Sequence, residues 1–216
     1  MRITKYGLVL ALFLSLVACS STRGSGNIKT ESRQVSGFNS VEVSGRAKLI
    51  VEQGAEESLS VTADDNLLQY LTSEVDGSKL TLGTKGNTSI SPTAPITYTL
   101  GVKKLNEIGA SGDVTVDAKG IQTDSLAVAV SGSANITISG QSPDQKIAIS
   151  GSANYEAKNF NTKDTSISIS GSAKAVVAVS DRLDVKVSGS GDVSYIGKPE
   201  VTKDISGSGS VEALTP

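Results

Sequence analysis

The chain reads as an all-β protein built by repetition: a parallel β-helix, or a closely related β-solenoid, with rungs of about 19 residues. Three observations predict this. The dipeptide Ser-Gly recurs at near-constant spacing, at Ser131, Ser150, Ser170, Ser188 and Ser206. Apolar and polar residues alternate on both sides of each copy, the signature of strands with one buried face. Small residues crowd the middle of each copy, and the chain as a whole has 22 glycines and only 4% aromatic residues, a composition suited to a narrow core with tight bends. A β-sandwich also alternates, but its turns seldom repeat the same residues in the same column.

Aligning Gly132, Gly151, Gly171, Gly189 and Gly207 brings the columns out. Two residues earlier stand Val130, Ile149, Ile169, Val187 and Ile205, and four earlier Val128, Ile147, Ile167 and Val185, with Lys203 breaking the last copy. A serine follows every one of these glycines, and then a tiny residue: Ala134, Ala153, Ala173, Gly191 and Gly209. The segment Ile108–Val114 matches Val187–Val193 and supplies a sixth copy with Ala110 in the glycine column; Val41–Leu49 supplies a seventh, centred on Gly45. Gly45, Gly132, Gly151, Gly171, Gly189 and Gly207 are therefore expected at a tight corner. There a larger side chain would strike the opposite wall or the neighbouring rung. One copy is too small to bury its own apolar face, so the copies must stack. The regular rungs are expected over 105–213, with polar linkers such as 139–145, 158–164 and 197–203 between them.

The N-terminal part, 34–104, is less regular. Strands are expected at Ser40–Val43, Lys48–Val51, Ser58–Ala63, Lys79–Gly83 and Ile96–Val102. Asp64-Asp65-Asn66 precedes Leu67, Leu68, Leu71 and Val75, a spacing that predicts one short helix ending at Asp76-Gly77. Such a helix would cap the open end of the stack, which otherwise invites pairing with another chain.

Residues 1–18 carry Arg2 and Lys5 and then an apolar run from Gly7 to Val17, the pattern of a secretory signal peptide. The run falls well short of the roughly 20 residues a membrane-spanning helix needs. Leu16-Val17-Ala18-Cys19 resembles the bacterial lipobox, in which the cysteine is acylated with palmitate-type chains and becomes the mature N-terminus. Cys19 is the only cysteine of the chain. Ser20 stands where an aspartate would signal inner-membrane retention, so the resemblance implies an outer-membrane anchor, with the periplasmic or cell-surface face open. Residues 19–33, rich in Ser, Gly and Thr, are expected to form a lipidated flexible tether ahead of a β domain over 34–216. Cleavage removes Arg2 and Lys5 and takes the formal charge from −2 to −4.

Composition excludes several chemistries. The chain has no histidine, hence no Ser-His-Asp triad, no Cys-His pair and no imidazole acid or base. The near balance of charge offers no nucleic-acid footprint. Gly189-Ser190-Gly191-Asp192 looks like a calcium β-roll turn, but such sites stack aspartates every nine residues, whereas here they occur only at Asp113 and Asp192. Asp64 and Asp65 could pair for metal or acid-base work, but they stand where a helix cap is wanted. Gly-x-Gly strings lead into strand residues and not into a helix, so no dinucleotide site is indicated. No motif calls for a cofactor. Carbohydrate-active β-helix enzymes are the strongest enzymatic rival, yet no outward column of acids is present, and Tyr155 and Tyr195 fall in the inward phase.

Gly37-Phe38-Asn39-Ser40-Val41-Glu42-Val43, Thr62-Ala63-Asp64-Asp65-Asn66-Leu67-Leu68, Asp76-Gly77-Ser78-Lys79-Leu80 and the Ser-Gly-Ser repeats together resemble the head GIN domain family, secreted bacterial β proteins described as auto-transporter adhesins. The resemblance covers nearly the whole mature chain. It implies an all-β, β-helix-like fold and an envelope location, and it implies no reaction. The expected function is a non-catalytic, outer-membrane-anchored lipoprotein presenting a surface for a glycan or protein ligand. The alternatives are a periplasmic structural or envelope-stress protein and a glycan-active enzyme.

Overall fold

Wherever apolar residues alternate, the backbone extends and pairs. The computed structural model describes residues 21–86 and 88–214. Short β1 (Thr22–Arg23) and β2 (Ile28–Arg33) lead into β3 (Ser40–Gln53) and β4 (Ser58–Asp64). A hairpin of β5 (Leu71–Asp76) and β6 (Lys79–Thr84), a short β7 (Ile90–Ser91) and β8 (Ile96–Val102) complete the N-terminal part. The repeats follow as β9 (Glu107–Gln122), the long β10 (Ser125–Ile196), β11 (Glu200–Gly207) and β12 (Ser210–Ala213).

Most of these strands join one large mixed sheet in the order β11-β10-β9-β3-β8-β4-β2, with β12 on β10 and the β5–β6 hairpin on β3. Among the repeats every pairing is parallel, while β2, β4 and β8 pair antiparallel. The ladder aligns like with like: Gly45 faces Gly112, Gly112 faces Gly132, and Gly189 faces Gly207. β3 bends at Gly45, so its first leg (40–43) is covered by β6 and its second (47–53) by β8.

The inward columns form a continuous apolar core. Val128, Ile147, Ile167 and Val185 are all at most 1% exposed, and Tyr98, Tyr155 and Phe160 are its largest fully buried side chains. Burial thins at the last copy, where Val201, Ile205 and Val211 are only partly covered.

Three expectations are corrected. The helix predicted from Asp64 is only a single 3-10 turn, Leu68–Tyr70, and its flanking Leu67 makes no side-chain cap bond. Residues 71–76 extend as β5 instead, because Thr72 and Val75 favour strand and pairing with β6 satisfies their backbone. Gly77, at φ +58°, makes the reversal. Secondly, the segment read as a flexible tether contains two strands: β1 pairs parallel with β7, and β2 pairs antiparallel with β4 along its whole length. Its alternation of polar residues hid this, since β2 is an exposed edge strand. Thirdly, Ala110 lies opposite Val130 and not in the glycine column; Gly112 holds that place. The shift is two residues, which preserves the inward phase, and the shared Asp-Val pair made the false register attractive.

Candidate binding groove

Positive-φ glycines mark two bends along the repeats, the column glycines at the first and Gly140 and Gly197 at the second. At the first turn the column glycines take positive φ, +122° at Gly132 and +138° at Gly171, for instance. A Cβ on Gly132 would lie 2.6 Å from the carbonyl oxygen of Gly112, and the same clash recurs from Gly151 on Gly132 through to Gly207 on Gly189. The obstacle is thus the backbone of the preceding copy, not the opposite wall. Gly45, at φ +89°, is the exception, with open space where its Cβ would be. The serines at Ser131, Ser150, Ser170, Ser188 and Ser206 are all exposed beside this column.

The column beside the second bend was not extracted from the sequence, although the bend itself falls within the polar linkers expected at 139–145 and 197–203. There Gly140 (φ +133°) stacks on Ile121 and Gly197 (φ +117°) on Val179, again with no room for a Cβ. The next residue outward forms a polar column. Gln141 faces Gln122 in the ladder; Asn161, Ser180 and Lys198 hold the equivalent place in later copies, and all five are exposed. The signal was present as polar residues nine or ten positions after each column glycine.

This column borders a groove of about 1050 Å³ lined from Gln53 and Lys103, past Gln122, Gln141, Asn161 and Ser180, to Lys198. Pro143, Ala178, Val179 and Ile196 supply apolar lining; Ala178 and Val179 are buried, and Ile196 is 37% exposed. Lys103, Lys104, Lys163 and Lys198 stand along it against a single acid, Asp124, which pairs with Lys104 at 3.6 Å. Gln53 fixes one end: its Nε2 donates to the carbonyls of Lys103 and Gln122 at 3.0 and 3.1 Å, and its Oε1 accepts from the Gln122 amide at 2.7 Å. Deeper in, the Thr162 hydroxyl donates to the Ala178 carbonyl at 2.9 Å and pairs with Thr165. The groove floor is thereby held in place, while the side-chain amides of Gln122, Gln141 and Asn161 make no hydrogen bond among the described residues.

Cys19 lies outside the described residues. Asp64 and Asp65 do not cap a helix. Asp64 is fully buried and accepts from the Gly26 amide (2.7 Å), the Thr93 amide (3.0 Å) and the Thr93 hydroxyl (2.7 Å). The Thr93 hydroxyl above all holds its carboxyl below the usual carboxylate value. Asp65 accepts from the Ser25 hydroxyl, which likewise lowers it, and faces Lys29 at 3.8 Å. Both acids tie the chain around Gly26 to the end of β4.

Asp113 and Asp192 occupy different columns, one and three residues after their glycines. Asp113 faces Arg46, and Asp192 accepts from Ser210. They do not stack as a calcium turn requires. Tyr155 is buried, its hydroxyl accepting from Gln145 Nε2 at 2.8 Å, and burial pushes it well above its ordinary value. Tyr195 packs, partly buried, against the core. Among the described residues no three of His, Cys, Asp and Glu gather as a metal site, and no helix is long and apolar enough to cross a membrane.

The fold and this surface define a repeat-built, all-β protein whose most developed feature is an open groove. The chain belongs to the family described as "Putative auto-transporter adhesin, head GIN domain", whose pattern matches residues 37–199. Among solved structures it is similar to a "putative adhesin" from Bacteroides fragilis, at 17% identity and TM-score 0.67, covering 90% of this chain and 100% of that one. A "putative adhesin" from Parabacteroides distasonis matches at 23% identity and TM-score 0.56, covering 90% and 100%. A "putative lipid binding protein" from the same species matches at 20% identity and TM-score 0.53, covering 91% and 100%. No curated protein matches the chain.

Proposed function

We propose that the chain is a non-catalytic β-solenoid lipoprotein of the bacterial envelope, anchored in the outer membrane through acylated Cys19, which presents its second-turn groove for binding or adhesion. The observation that carries this reading is the exposed column from Gln122 to Lys198 beside an apolar-lined groove. A row of repeated polar groups at the stacking interval suits recognition of an extended partner. Glycan hydrolysis, by contrast, calls for two carboxylates flanking the bond to be cut, and the groove offers only Asp124, already paired with Lys104. Family membership and the adhesin-like neighbours favour the same class of function. The corner glycines Gly45, Gly132, Gly151, Gly171, Gly189 and Gly207 serve as structure in this reading.

Metabolic labelling with a palmitate analogue, followed by protease shaving of intact cells, tests the proposal. The native chain takes up label and is cut on intact cells, and Cys19→Ser abolishes the label. Cutting only after permeabilisation would instead support the periplasmic structural reading.

A further inference from the structure

We propose that the groove binds a linear anionic glycan, with Gln122, Gln141 and Asn161 gripping sugar hydroxyls and Lys163 and Lys198 holding the acidic groups. This rests on the reading of the protein as a binding module and names the ligand class of that site.

The groove's charge favours an anion. The chain as a whole is acidic, with a formal charge of −2, yet this groove sets four lysines against one aspartate. Since Asp124 is spent on Lys104, the other three ammonium groups are available to a ligand. These lysines are also spread along the groove. Lys103 and Lys104 lie at one end of the groove, Lys163 in the middle and Lys198 at the far end, so positive charge is spread along its length. The six positions from Gln53 through Gln122, Gln141, Asn161 and Ser180 to Lys198, at the strand interval of about 4.8 Å, give a run of roughly 24 Å. An amphiphile with a single anionic head would need its cations at one end only; a chain with repeated acidic groups matches all three positions.

The amide ladder points to the same ligand. A side-chain amide both donates and accepts, which suits paired sugar hydroxyls, and Gln122 and Gln141 repeat that group on adjacent strands in register. The apolar lining at Pro143 and Ile196 can meet the C–H faces of sugar rings. Single-stranded nucleic acid, the other extended polyanion, wants aromatic side chains on which bases stack, and the groove lining has none.

The test is isothermal titration of the purified full chain with polygalacturonate, with neutral dextran and sodium oleate as comparison probes. Polygalacturonate should bind and dextran should not, with affinity falling as salt rises, because the lysines are exposed. Lys163→Glu combined with Lys198→Glu should weaken binding at least tenfold. Gln141→Ala combined with Asn161→Ala leaves the charge untouched and should weaken it several-fold. All four side chains are exposed, and an unchanged circular dichroism spectrum verifies folding of the variants. Polygalacturonate binding no tighter than dextran, binding indifferent to both double variants, or oleate binding in its place would overturn the proposal. Because the wild-type protein is tested apart from the cell, such a failure is distinct from failure of anchoring or surface display.

Discussion

Replacing Gly171 by alanine isolates the contact that stacks one copy on the next. At φ +138° an L-residue is strained, at a cost of about 1–3 kcal/mol. The new Cβ would also press on the Gly151 carbonyl oxygen, with the Gly151 nitrogen and carbonyl carbon at 3.0 and 3.1 Å. Backbone locked in a ladder on both sides cannot yield as a side-chain tip can, which adds overpacking of about 1–3 kcal/mol. Gly45→Ala provides the matched comparison. Its φ is +89°, but nothing lies within 4 Å of its Cβ position, because β6 pairing stops at Val43 and β8 pairing begins at Ala47. It therefore incurs the strain without the collision. Urea unfolding followed by circular dichroism should place Gly171→Ala below Gly45→Ala by at least about 0.5 M in midpoint, taking a slope of roughly 2 kcal/mol per M. Ser172→Ala, on the exposed face, should stay within about 0.5 kcal/mol of wild type. Equal midpoints for the two glycine variants would refute the stacking argument.

Two predictions concern pH. Asp64, held below its ordinary value of 3.8 chiefly by the Thr93 hydroxyl, stabilises the fold as a carboxylate. That contribution is complete above the unfolded value and is lost as pH falls through the lower folded value. Hydrogen exchange at the Gly26 and Thr93 amides should accelerate in that acid range, and Asp64→Asn should abolish the pH dependence of this step. Tyr98 is buried, which raises its phenol from 10.0 to about 12. Its contribution is fully present below pH 10 and is lost as pH rises through 12; phenolate absorbance should show this late ionisation, and Tyr98→Phe should remove it.

What the sequence made legible follows from where physical constraint repeats. The Val128, Ile147, Ile167 and Val185 column, the inward Tyr155 and the strands of β3, β4, β6 and β8 are dictated by alternation and could be read directly. β5 could not. Leu67, Leu68 and Leu71 have helical spacing, and only pairing with β6, a tertiary effect, decides for strand. β2 was hidden because an edge strand with polar residues on both faces has no apolar phase to detect. The groove is not legible in the same way, because the linkers that border it, such as 139–145 and 197–203, carry turn residues and no apolar alternation. Gln122, Gln141, Asn161, Ser180 and Lys198 nevertheless recur at a nearly fixed offset, and Gly140 and Gly197 mark the same bend. The proposed acylation of Cys19 rests only on resemblance to a processing motif, since chemistry at that residue leaves no trace in strand periodicity.

If the copies stack level upon level, side chains in one column form a straight row. Pulsed electron-spin distances test it most directly, with one label at Ser44 and a second at Ser170, Ser188 or Ser206 in a Cys19→Ser background. These residues flank the glycine column four, five and six levels from Ser44, so stacking gives distances near 19, 24 and 29 Å, rising by about 4.8 Å per copy. Distances that do not grow with copy number, or that alternate between short and long as in two facing sheets of a sandwich, would contradict it.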